Sequence, residues 1–242
     1  MRIVKLNAIN STNTYLKELA KAAEISSWTV VTAEFQTFGR GQVQTKWESD
    51  KGKNLICSIL VNLKDFKVKN QFYLNCAISL GIFEALKHYD LPQLKIKWPN
   101  DIMAVNKKIA GILIENSLVH DTIYRVVIGI GLNVNQERFP KNLPKAISMK
   151  NILSKELDRE VILKLIINSL KAQIDLLERN KFEFLHQNYE HELFKKDKVQ
   201  MFEEEGNKFL GKILGVTSQG KLRIEKENET VTEYNFKEIK FA

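Results

Sequence analysis

Residues 102–130 read IMAVNKKIAGILIENSLVHDTIYRVVIGI, three apolar stretches divided by only two short polar breaks. Asn106-Lys107 and His120-Asp121 are residue pairs typical of tight turns, and the stretches beside them are rich in β-branched residues, which indicates strands. The predicted strands are residues 102–105, 108–119 and 122–130. Closely spaced strands with short turns favour a mixed or antiparallel sheet over the regular strand–helix alternation of a dinucleotide-binding fold.

The rest of the chain adds helices and further strands to this sheet. The spacing of apolar residues predicts helices that begin just after Ser11-Thr12-Asn13 and at residues 71–89, 160–179 and 182–194. Other predicted strands are residues 29–36, 54–61 and 94–98. After Lys195 the pattern changes to short alternating strands punctuated by glycine, at residues 199–202, 209–216, 221–227 and 230–236. We therefore predict an α+β domain at 1–194 and a small β-barrel domain at 195–242.

The composition is that of a soluble globular protein. The chain has 242 residues, of which 44% are hydrophobic and 27% charged, and it contains neither an apolar run as long as a membrane span nor a signal peptide. A cytoplasmic location without membrane contact is expected. Cys57 and Cys76 lie in apolar surroundings without CxxC spacing, so reduced core thiols are expected rather than a disulfide.

The formal net charge is +8, which favours acidic partners such as nucleotides, nucleic acid or an acidic protein. The charges are spread along the chain, so a general richness in lysine explains them equally well. A basic nucleic-acid-binding module therefore stays open as a non-enzymatic alternative.

A glycine-bracketed arginine follows the strand predicted at 29–36. Residues 39–47 read GRGQVQTKW, and the two glycines allow backbone conformations in which bare N–H groups approach an anion closely. Arg40 lies where its guanidinium can bind the same anion, and Gln36 is delivered to the start of this loop. A Gly-Arg-Gly turn by itself is also typical of an ordinary surface loop.

Two further groups of residues carry potential chemistry. KWPND at 97–101 precedes KKIAGILIE at 107–115, in which Gly111 leaves space beside an apolar wall that Lys108 can reach with its charge. GIGLNVN at 129–135 has glycines that admit a flat ligand and Asn133 to bind its edge. A surface lysine is the simpler explanation of Lys108 taken alone.

Several common sites are not indicated. The GxG of residues 129–131 lacks the third glycine of a dinucleotide fingerprint, since that position is Val134, and no Walker A loop is present. The four histidines have no partners at metal-ligand spacing, so no protein-bound metal is predicted. What remains is an anion site of Arg40, Lys108 and backbone N–H groups without a nucleophile. Such a site suits reactions that make and pass on activated acids.

At these residues the chain resembles a known family. STN, EFQTFGRG with a following tryptophan, KWPND, KIAGILIE and GIGLNVN occur in the order found in biotin protein ligases, also called biotin–acetyl-CoA-carboxylase ligases. The resemblance covers nearly the whole chain and implies a class II synthetase-like catalytic domain with an SH3-like carboxy-terminal barrel. Regulatory members carry a winged-helix domain before the STN motif. Only ten residues precede Ser11, so we expect the monofunctional type without specific DNA binding.

The resemblance implies that biotin and MgATP form biotinyl-5′-AMP, and that biotin then passes to a lysine of a biotin carboxyl carrier domain. The implied catalytic residues are Lys108, Arg40 and Asp101, with Asp101 orienting or deprotonating the acceptor lysine. The implied biotin site comprises Ser11, Thr12, Asn13, Gln36, Arg40, Gly41, Gln42, Lys108 and Gly111. The implied ATP site comprises Gly39, Arg40, Trp47, Asn100, Lys108, Gly129, Gly131 and Asn133, with Trp47 and Asn133 against adenine.

The glycine loop departs from the family pattern GRGRxGRxW. Gln42, Gln44 and Thr45 stand at the second arginine, the following glycine and the third arginine. Glutamine lacks the charge-assisted bidentate contact of arginine, so retention of the adenylate is expected to be weaker. A lipoate or octanoyl transferase of the same fold is the enzymatic alternative. Both a monomer and a homodimer are compatible with the sequence, and the acceptor carboxylase is not identified by it.

Overall fold

The computed structural model describes residues 2–42 and 45–242 and contains two sheets. The elements of the first part are β1 (Ile3–Leu6), α1 (Thr12–Ala22), β2 (Val30–Ala33), β3 (Leu55–Lys67), α2 (Gln71–Lys87), β4 (Lys95–Lys97), β5 (Asp101–Ala104), β6 (Lys107–Val119), β7 (Thr122–Leu132), α3 (Met149–Leu153), α4 (Arg159–Glu178) and α5 (Phe182–His191). The second part contains β8 (Val199–Glu204), β9 (Asn207–Val216), β10 (Leu222–Lys226), β11 (Val231–Tyr234) and β12 (Lys240–Phe241).

The first sheet has seven strands in the order β1-β2-β3-β7-β6-β5-β4. The β1–β2 pair is parallel and every other neighbouring pair is antiparallel. The predicted hairpins of β5, β6 and β7 are confirmed, although the first turn lies one residue earlier than predicted. Val105 and Asn106 both have positive φ there, 44° and 60°, the geometry of a two-residue hairpin turn.

Each face of this sheet packs against a different layer of helix. Ile59 and Ile128 belong to the large core that includes α2, α4 and α5. Leu60 and Val127 point the opposite way and pack with Leu16 of α1, because neighbouring residues of a strand face opposite sides. Burying one such aliphatic side chain contributes roughly 1.5–3 kcal/mol. The sheet is therefore covered fully on one face, whereas α1 covers only part of the other.

The second sheet is antiparallel, with the strand order β11-β10-β9-β8-β12, and it packs against the β4 end of the first sheet. Glu190 of α5 accepts a hydrogen bond from the backbone N–H of Val216 at 2.6 Å. The indole N–H of Trp98 donates to the carbonyl of Gly220 at 2.9 Å, and the Trp98 ring meets Phe236 edge-on at 6.0 Å between centroids. These contacts hold the second sheet and its connecting segments beside α5 and the turn that joins β4 and β5.

The structure confirms the predicted fold class, a mixed sheet flanked by helices with a separate small β-sheet region. The elements β1, α3 and β12 were not predicted, nor was a short 3-10 helix at Val68–Asn70. The strand predicted at 29–36 ends at Ala33. The backbone of Gln36 lies outside it and forms an isolated β-bridge with Ile9. The strand predicted at 54–61 continues to Lys67. The division between residues 194 and 195 stays a prediction.

No helix in the described part of the chain has both the length and the apolar character needed to cross a bilayer.

Candidate active site

A cavity of about 350 Å³ opens on the face of the first sheet that carries α1. Its floor includes a row of residues paired across four strands: Ile56, Gly131, Gly111 and Asp101. The next row contains Ser58, Gly129 and Leu113. Three of these seven positions are glycine, so much of the floor is bare backbone. Side chains from other elements can therefore lie directly against the strands at these positions.

Two side chains already use that space. The indole of Trp47 lies directly on Gly131, where an added Cβ would overlap it, and 3.1 Å from a Cβ built at Gly111. In the same way, the side chain of Asn13 lies directly on Gly129, where an added Cβ would overlap it. The indole Nε1 of Trp47 is buried and has no hydrogen-bond partner among the described residues. The glycines thus determine where both side chains lie.

A cluster of uncharged polar groups fills one part of the cavity at the start of α1. Ser11 caps the helix by accepting from the backbone N–H of Thr14. Gln36 Oε1 accepts from the Thr12 backbone N–H at 2.8 Å and lies 3.1 Å from the Thr12 hydroxyl. The Ser58 hydroxyl lies 2.7 Å from that of Thr12 and also hydrogen-bonds Asn13 Oδ1. The cluster offers donors and acceptors to a small polar head group.

Ser58 and Glu115 adjoin this cluster, and neither was predicted from the sequence to have a role. Glu115 accepts hydrogen bonds from Asn13, Lys17 and Arg40, each at 2.9 Å. Burial raises the pKa of Glu115, but the hydrogen bonds from Lys17 and Asn13 and the charge of Arg40 outweigh it, so the pKa is lowered. Glu115 is therefore ionised at neutral pH.

A second part of the cavity is charged. Lys108 Nζ lies 2.7 Å from Asp101 Oδ1 and 5.7 Å from the centroid of a Trp47 ring. The Lys97 ammonium group lies 4.6 Å from the centroid of the Phe241 ring. Burial lowers the pKa of Lys97, and nearby lysines lower it further, whereas Asp101 opposes the shift. Two lysines and one carboxylate thus surround the space next to Gly111.

The turn that carries Asn100 and Asp101 is braced from the core. The carbonyl of Pro99 accepts from Asn75 Nδ2 at 2.8 Å and from the Tyr189 hydroxyl at 3.0 Å. The Asn100 side chain donates to the carbonyl of Ile112. Backbone and side chain are both fixed, so Asp101 has a defined position relative to Lys108.

The described residues of the glycine loop, 39–42 and 45–47, pair with each other above the cavity. The N–H of Gly41 donates to the carbonyl of Thr45 at 2.7 Å, and the N–H of Trp47 donates to the carbonyl of Gly39 at 2.9 Å. The Thr45 hydroxyl donates to the carbonyl of Gln42 at 2.8 Å. Gln42 Oε1 is buried and accepts no hydrogen bond from the described residues. Gln44 lies outside the described residues.

The second sheet supplies part of the cavity wall, a contribution that no motif of the sequence indicates. Phe236, Ile239, Lys240 and Phe241 line it. Phe241 also packs against Phe202 of β8 at 5.2 Å between ring centroids. The position of the carboxy-terminal strand therefore influences the shape of the site.

Most of the predicted site residues come together in this cavity. The lining includes Ser11, Thr12, Asn13, Gln36, Arg40, Gly41, Gln42, Trp47, Asn100, Asp101, Lys108, Gly111, Gly129 and Gly131. Gly39 and Asn133 are buried and do not line it. The side chain of Asn133 instead donates to the carbonyl of Ile147 at 3.1 Å. Its contact with adenine stays a prediction, one that the observed hydrogen bond does not favour.

The described residues contain no group of three or more histidine, cysteine, aspartate or glutamate side chains placed to hold a metal ion. Cys57 and Cys76 are both buried free thiols. Burial raises the pKa of Cys57 to about 12, so this thiol, although it lines the cavity, is not a nucleophile at neutral pH.

The cavity combines a neutral polar cluster at the start of α1 with a charged part around Lys108 and Asp101. Residues 6–133, more than half of the chain, match the profile of the Biotin/lipoate A/B protein ligase family. The chain therefore belongs to this family.

Individual relatives agree with the family match. The chain is 32% identical over 168 residues to the biotin–[acetyl-CoA-carboxylase] ligase of Mycobacterium tuberculosis, covering 68% of this chain and 60% of the relative. It is 30% identical over 181 residues to the bifunctional ligase/repressor BirA of Escherichia coli, covering 73% of this chain and 54% of the relative. The chain spans about half the length of the curated relatives it matches.

The structural similarity extends further than the sequence matches. The biotin protein ligase of Aquifex aeolicus, solved in complex with biotin and ATP, superimposes with a TM-score of 0.82 at 27% identity. The match covers 100% of this chain and 99% of that one.

Proposed function

We propose that the protein is a biotin protein ligase, which joins biotin to AMP at the expense of ATP and then transfers biotin to a lysine of a biotin carboxyl carrier domain. The observation that carries the proposal is that a neutral polar cluster and a Lys108–Asp101 pair share one glycine-floored cavity. The Aquifex aeolicus protein, which the chain resembles over its whole length, binds biotin and ATP.

The polar cluster suits the ureido head of biotin, which has one acceptor oxygen between two N–H donors. Thr12, Asn13 and Gln36 lie within one hydrogen-bonded group and supply both donors and acceptors. Ser11 lies at the same helix start, and Gly41 and Gln42 lie above it. A buried polar site of this kind rejects acids that lack the head group, because its own donors and acceptors would lose their partners.

The charged part of the cavity suits the first chemical step. A carboxylate oxygen of biotin attacks the α-phosphorus of ATP, the bond to the β-phosphate oxygen breaks, and pyrophosphate leaves. Negative charge accumulates on the phosphoryl oxygens as this happens. Lys108 is placed to offset that charge, and Arg40 is a second cation on the loop above. Trp47 provides a flat surface on Gly131 and Gly111 for the adenine ring.

Mg²⁺ is proposed to enter with the nucleotide. Asp101 is the one carboxylate among the described residues that line the cavity. A single carboxylate fits the way proteins bind Mg²⁺ on nucleotides, where the phosphates and water supply most ligands. Asp101 would be the residue that holds Mg²⁺ beside the phosphates, and the ion would supply charge neutralisation there.

In the second step the acceptor lysine attacks the carbonyl carbon of biotinyl-AMP, the bond to the AMP oxygen breaks, and the amine loses a proton. Asp101 is proposed to orient the amine and to accept this proton. Its position beside Lys108 keeps its carboxylate within reach of the same reacting atoms. The acceptor approaches as a separate protein domain, so the cavity must stay open on one side.

Acid-dependent exchange of pyrophosphate into ATP tests the proposal. We expect exchange with biotin and none with lipoate or octanoate, because the latter two lack a ureido head. Exchange that depends on lipoate or octanoate instead of biotin would assign the chain to the lipoate side of its family. The absence of exchange with all three acids would reject an acid-activating function.

The substitution Gln42→Arg is expected to slow the release of biotinyl-AMP. Gln42 stands where the family pattern GRGRxGRxW has an arginine, and a charge-assisted hydrogen bond from arginine to a phosphate is worth about 1.5–3 kcal/mol. The measurement is the dissociation rate of preformed biotinyl-AMP from both proteins at one salt concentration, because salt screens exposed charges. Equal rates would mean that position 42 does not help to retain the intermediate. Lys51→Arg, on the following segment, controls for the gain of a guanidinium.

A further inference from the structure

Glu115 connects three parts of the chain that are far apart in sequence. It lies on β6 and binds Asn13 and Lys17 of α1 and Arg40 of the glycine loop. Its Oε2 atom accepts from both Asn13 and Arg40, whereas its Oε1 atom accepts from Lys17. Only 20% of the Glu115 side chain is exposed. The carboxylate is thus an enclosed junction between the polar cluster and the loop above it.

The ionised carboxylate also determines the orientation of its neighbour. A carboxylate accepts hydrogen bonds but donates none, so Asn13 must present its NH₂ group to Glu115, at 2.9 Å. The same NH₂ group makes a longer contact with the carbonyl of Leu113, at 3.4 Å. The Asn13 carbonyl oxygen then faces Ser58, whose hydroxyl must donate to it. That leaves the Ser58 oxygen as an acceptor for the Thr12 hydroxyl, 2.7 Å away. Gln36 Oε1 keeps the backbone N–H of Thr12 as its donor.

In this series of hydrogen bonds, which runs from Glu115 through Asn13 and Ser58 to Thr12, the direction of each bond is therefore set by the one before it. If residue 115 could donate as well as accept, only the longer contact with the Leu113 carbonyl would hold the Asn13 amide in this orientation. A turned amide would then reverse the later groups as well. The substrate head group has a fixed arrangement of donors and acceptors. It would then bind less tightly, because the donors and acceptors of the site would no longer have one fixed arrangement.

We infer that Glu115 is a positioning residue for the head group of the substrate acid, which it serves by fixing the hydrogen-bond polarity of Asn13, Ser58 and Thr12 and by holding Arg40 beside them. The inference rests on the proposed function. A purely structural ion pair is the alternative, and partly exposed pairs usually contribute little to stability.

Glu115→Gln tests the inference because glutamine has nearly the same shape but carries a donor. We expect the dissociation constant for biotin to rise about tenfold to 100-fold, the usual effect of losing a hydrogen bond to a charged group. The KM for ATP at saturating biotin should change by less than the dissociation constant for biotin, because Arg40 is the one partner of Glu115 that is assigned to the ATP site. The melting temperature should not change. Calorimetric titration with biotin, steady-state pyrophosphate exchange and thermal unfolding provide the three readouts.

Glu192→Gln is the matched control. Glu192 is also largely enclosed, with 17% of its side chain exposed, and it also pairs with a lysine, Lys95, at 2.7 Å. Neither glutamate lines the cavity, but the side chain of Glu192 bonds to Lys95 and His191, which belong neither to the polar cluster nor to the glycine loop. This variant should bind biotin as the wild type does. That result would show that weaker binding by Glu115→Gln is specific to Glu115 and does not follow from the loss of any enclosed carboxylate.

A rescue experiment separates the direction of the hydrogen bond between residues 13 and 115 from the negative charge of Glu115. Asn13→Asp places a second carboxylate against Glu115 and is expected to abolish measurable biotin binding. Adding Glu115→Gln restores a donor–acceptor pair between positions 13 and 115, and the new carboxylate at position 13 still accepts from Ser58. We therefore expect the double variant to bind biotin more tightly than Asn13→Asp alone. This comparison also serves if Glu115→Gln alone does not fold.

The outcomes separate this inference from the proposed function. If wild-type protein binds no biotin, the proposed function fails. If wild-type protein binds biotin and folded Glu115→Gln binds it equally well, the positioning role is rejected. If Glu115→Gln weakened the binding of biotin and ATP to the same extent and also lowered the melting temperature, and if the double variant showed no rescue, Glu115 would be only a structural ion pair.

Discussion

Lys108→Ala is expected to slow the formation of biotinyl-AMP about 100-fold to 1000-fold, the usual effect of removing one preorganised donor to a developing negative charge. The Lys108 ammonium group lies 2.7 Å from Asp101, in the cavity and next to Gly111. Its side chain is 37% exposed and takes no part in the hydrophobic core. The fold should therefore survive the substitution while the first chemical step fails.

The measurement is single-turnover formation of biotinyl-AMP from biotin and ATP, together with thermal unfolding. Lys107→Ala is the matched control because Lys107 is the neighbouring lysine, is exposed and does not line the cavity. We expect wild-type rates from this control. A folded Lys108→Ala variant that forms biotinyl-AMP at the wild-type rate would remove Lys108 from the catalytic step.

Gly129→Ala is expected to weaken biotin binding strongly and to lower stability by about 1–3 kcal/mol, the usual cost of overpacking a well-filled site. A Cβ at position 129 would overlap the side chain of Asn13, which Ser58 and Glu115 hold in place. The extra methyl group must therefore displace Asn13 from the polar cluster. Calorimetric titration with biotin and the melting temperature provide the measurement, with a shift of about 2–4 °C expected for each kcal/mol.

Gly81→Ala separates the two effects of the previous substitution. Gly81 lies on α2 at the contact with α4, where an added Cβ would lie 2.8 Å from Leu170 Cδ2. This variant should also melt at a lower temperature, yet it should bind biotin normally, because the contact is on the opposite face of the sheet. If Gly129→Ala and Gly81→Ala affected biotin binding equally, the effect at Gly129 would be one of stability alone.

The hairpins of β5, β6 and β7 could be predicted because both their strand pattern and their turns are local in sequence. The parallel pairing of β1 with β2 could not, since IVKL is only four residues long and its partner lies beyond a helix. The position of Phe241 in the cavity wall depends on how the second sheet packs against Trp98 and α5. No short stretch of sequence specifies that packing.

The candidate site shows the same division between local and long-range information. Arg40, Lys108 and the glycines could be predicted because each belongs to a compact motif. Ser58 lies within an apolar strand, and its role becomes evident only when β3 is known to face α1 at that position. From the sequence alone, Glu115 resembles an ordinary solvent-exposed residue of a strand. Its role becomes visible only in the structure, where α1 and the glycine loop contact it. These residues act through tertiary contacts, for which the sequence has no local signal.

Activation of the biotin carboxylate with ATP is the central activity proposed for this protein. The most direct test incubates purified protein with biotin and ATP labelled at the α-phosphate, without any acceptor, and identifies the protein-bound product by mass spectrometry. We predict labelled biotinyl-5′-AMP that forms only when biotin is present and that disappears when a biotin carboxyl carrier domain is added. Labelled AMP or ADP without a biotin adduct, or the same label in the absence of biotin, would contradict this activity.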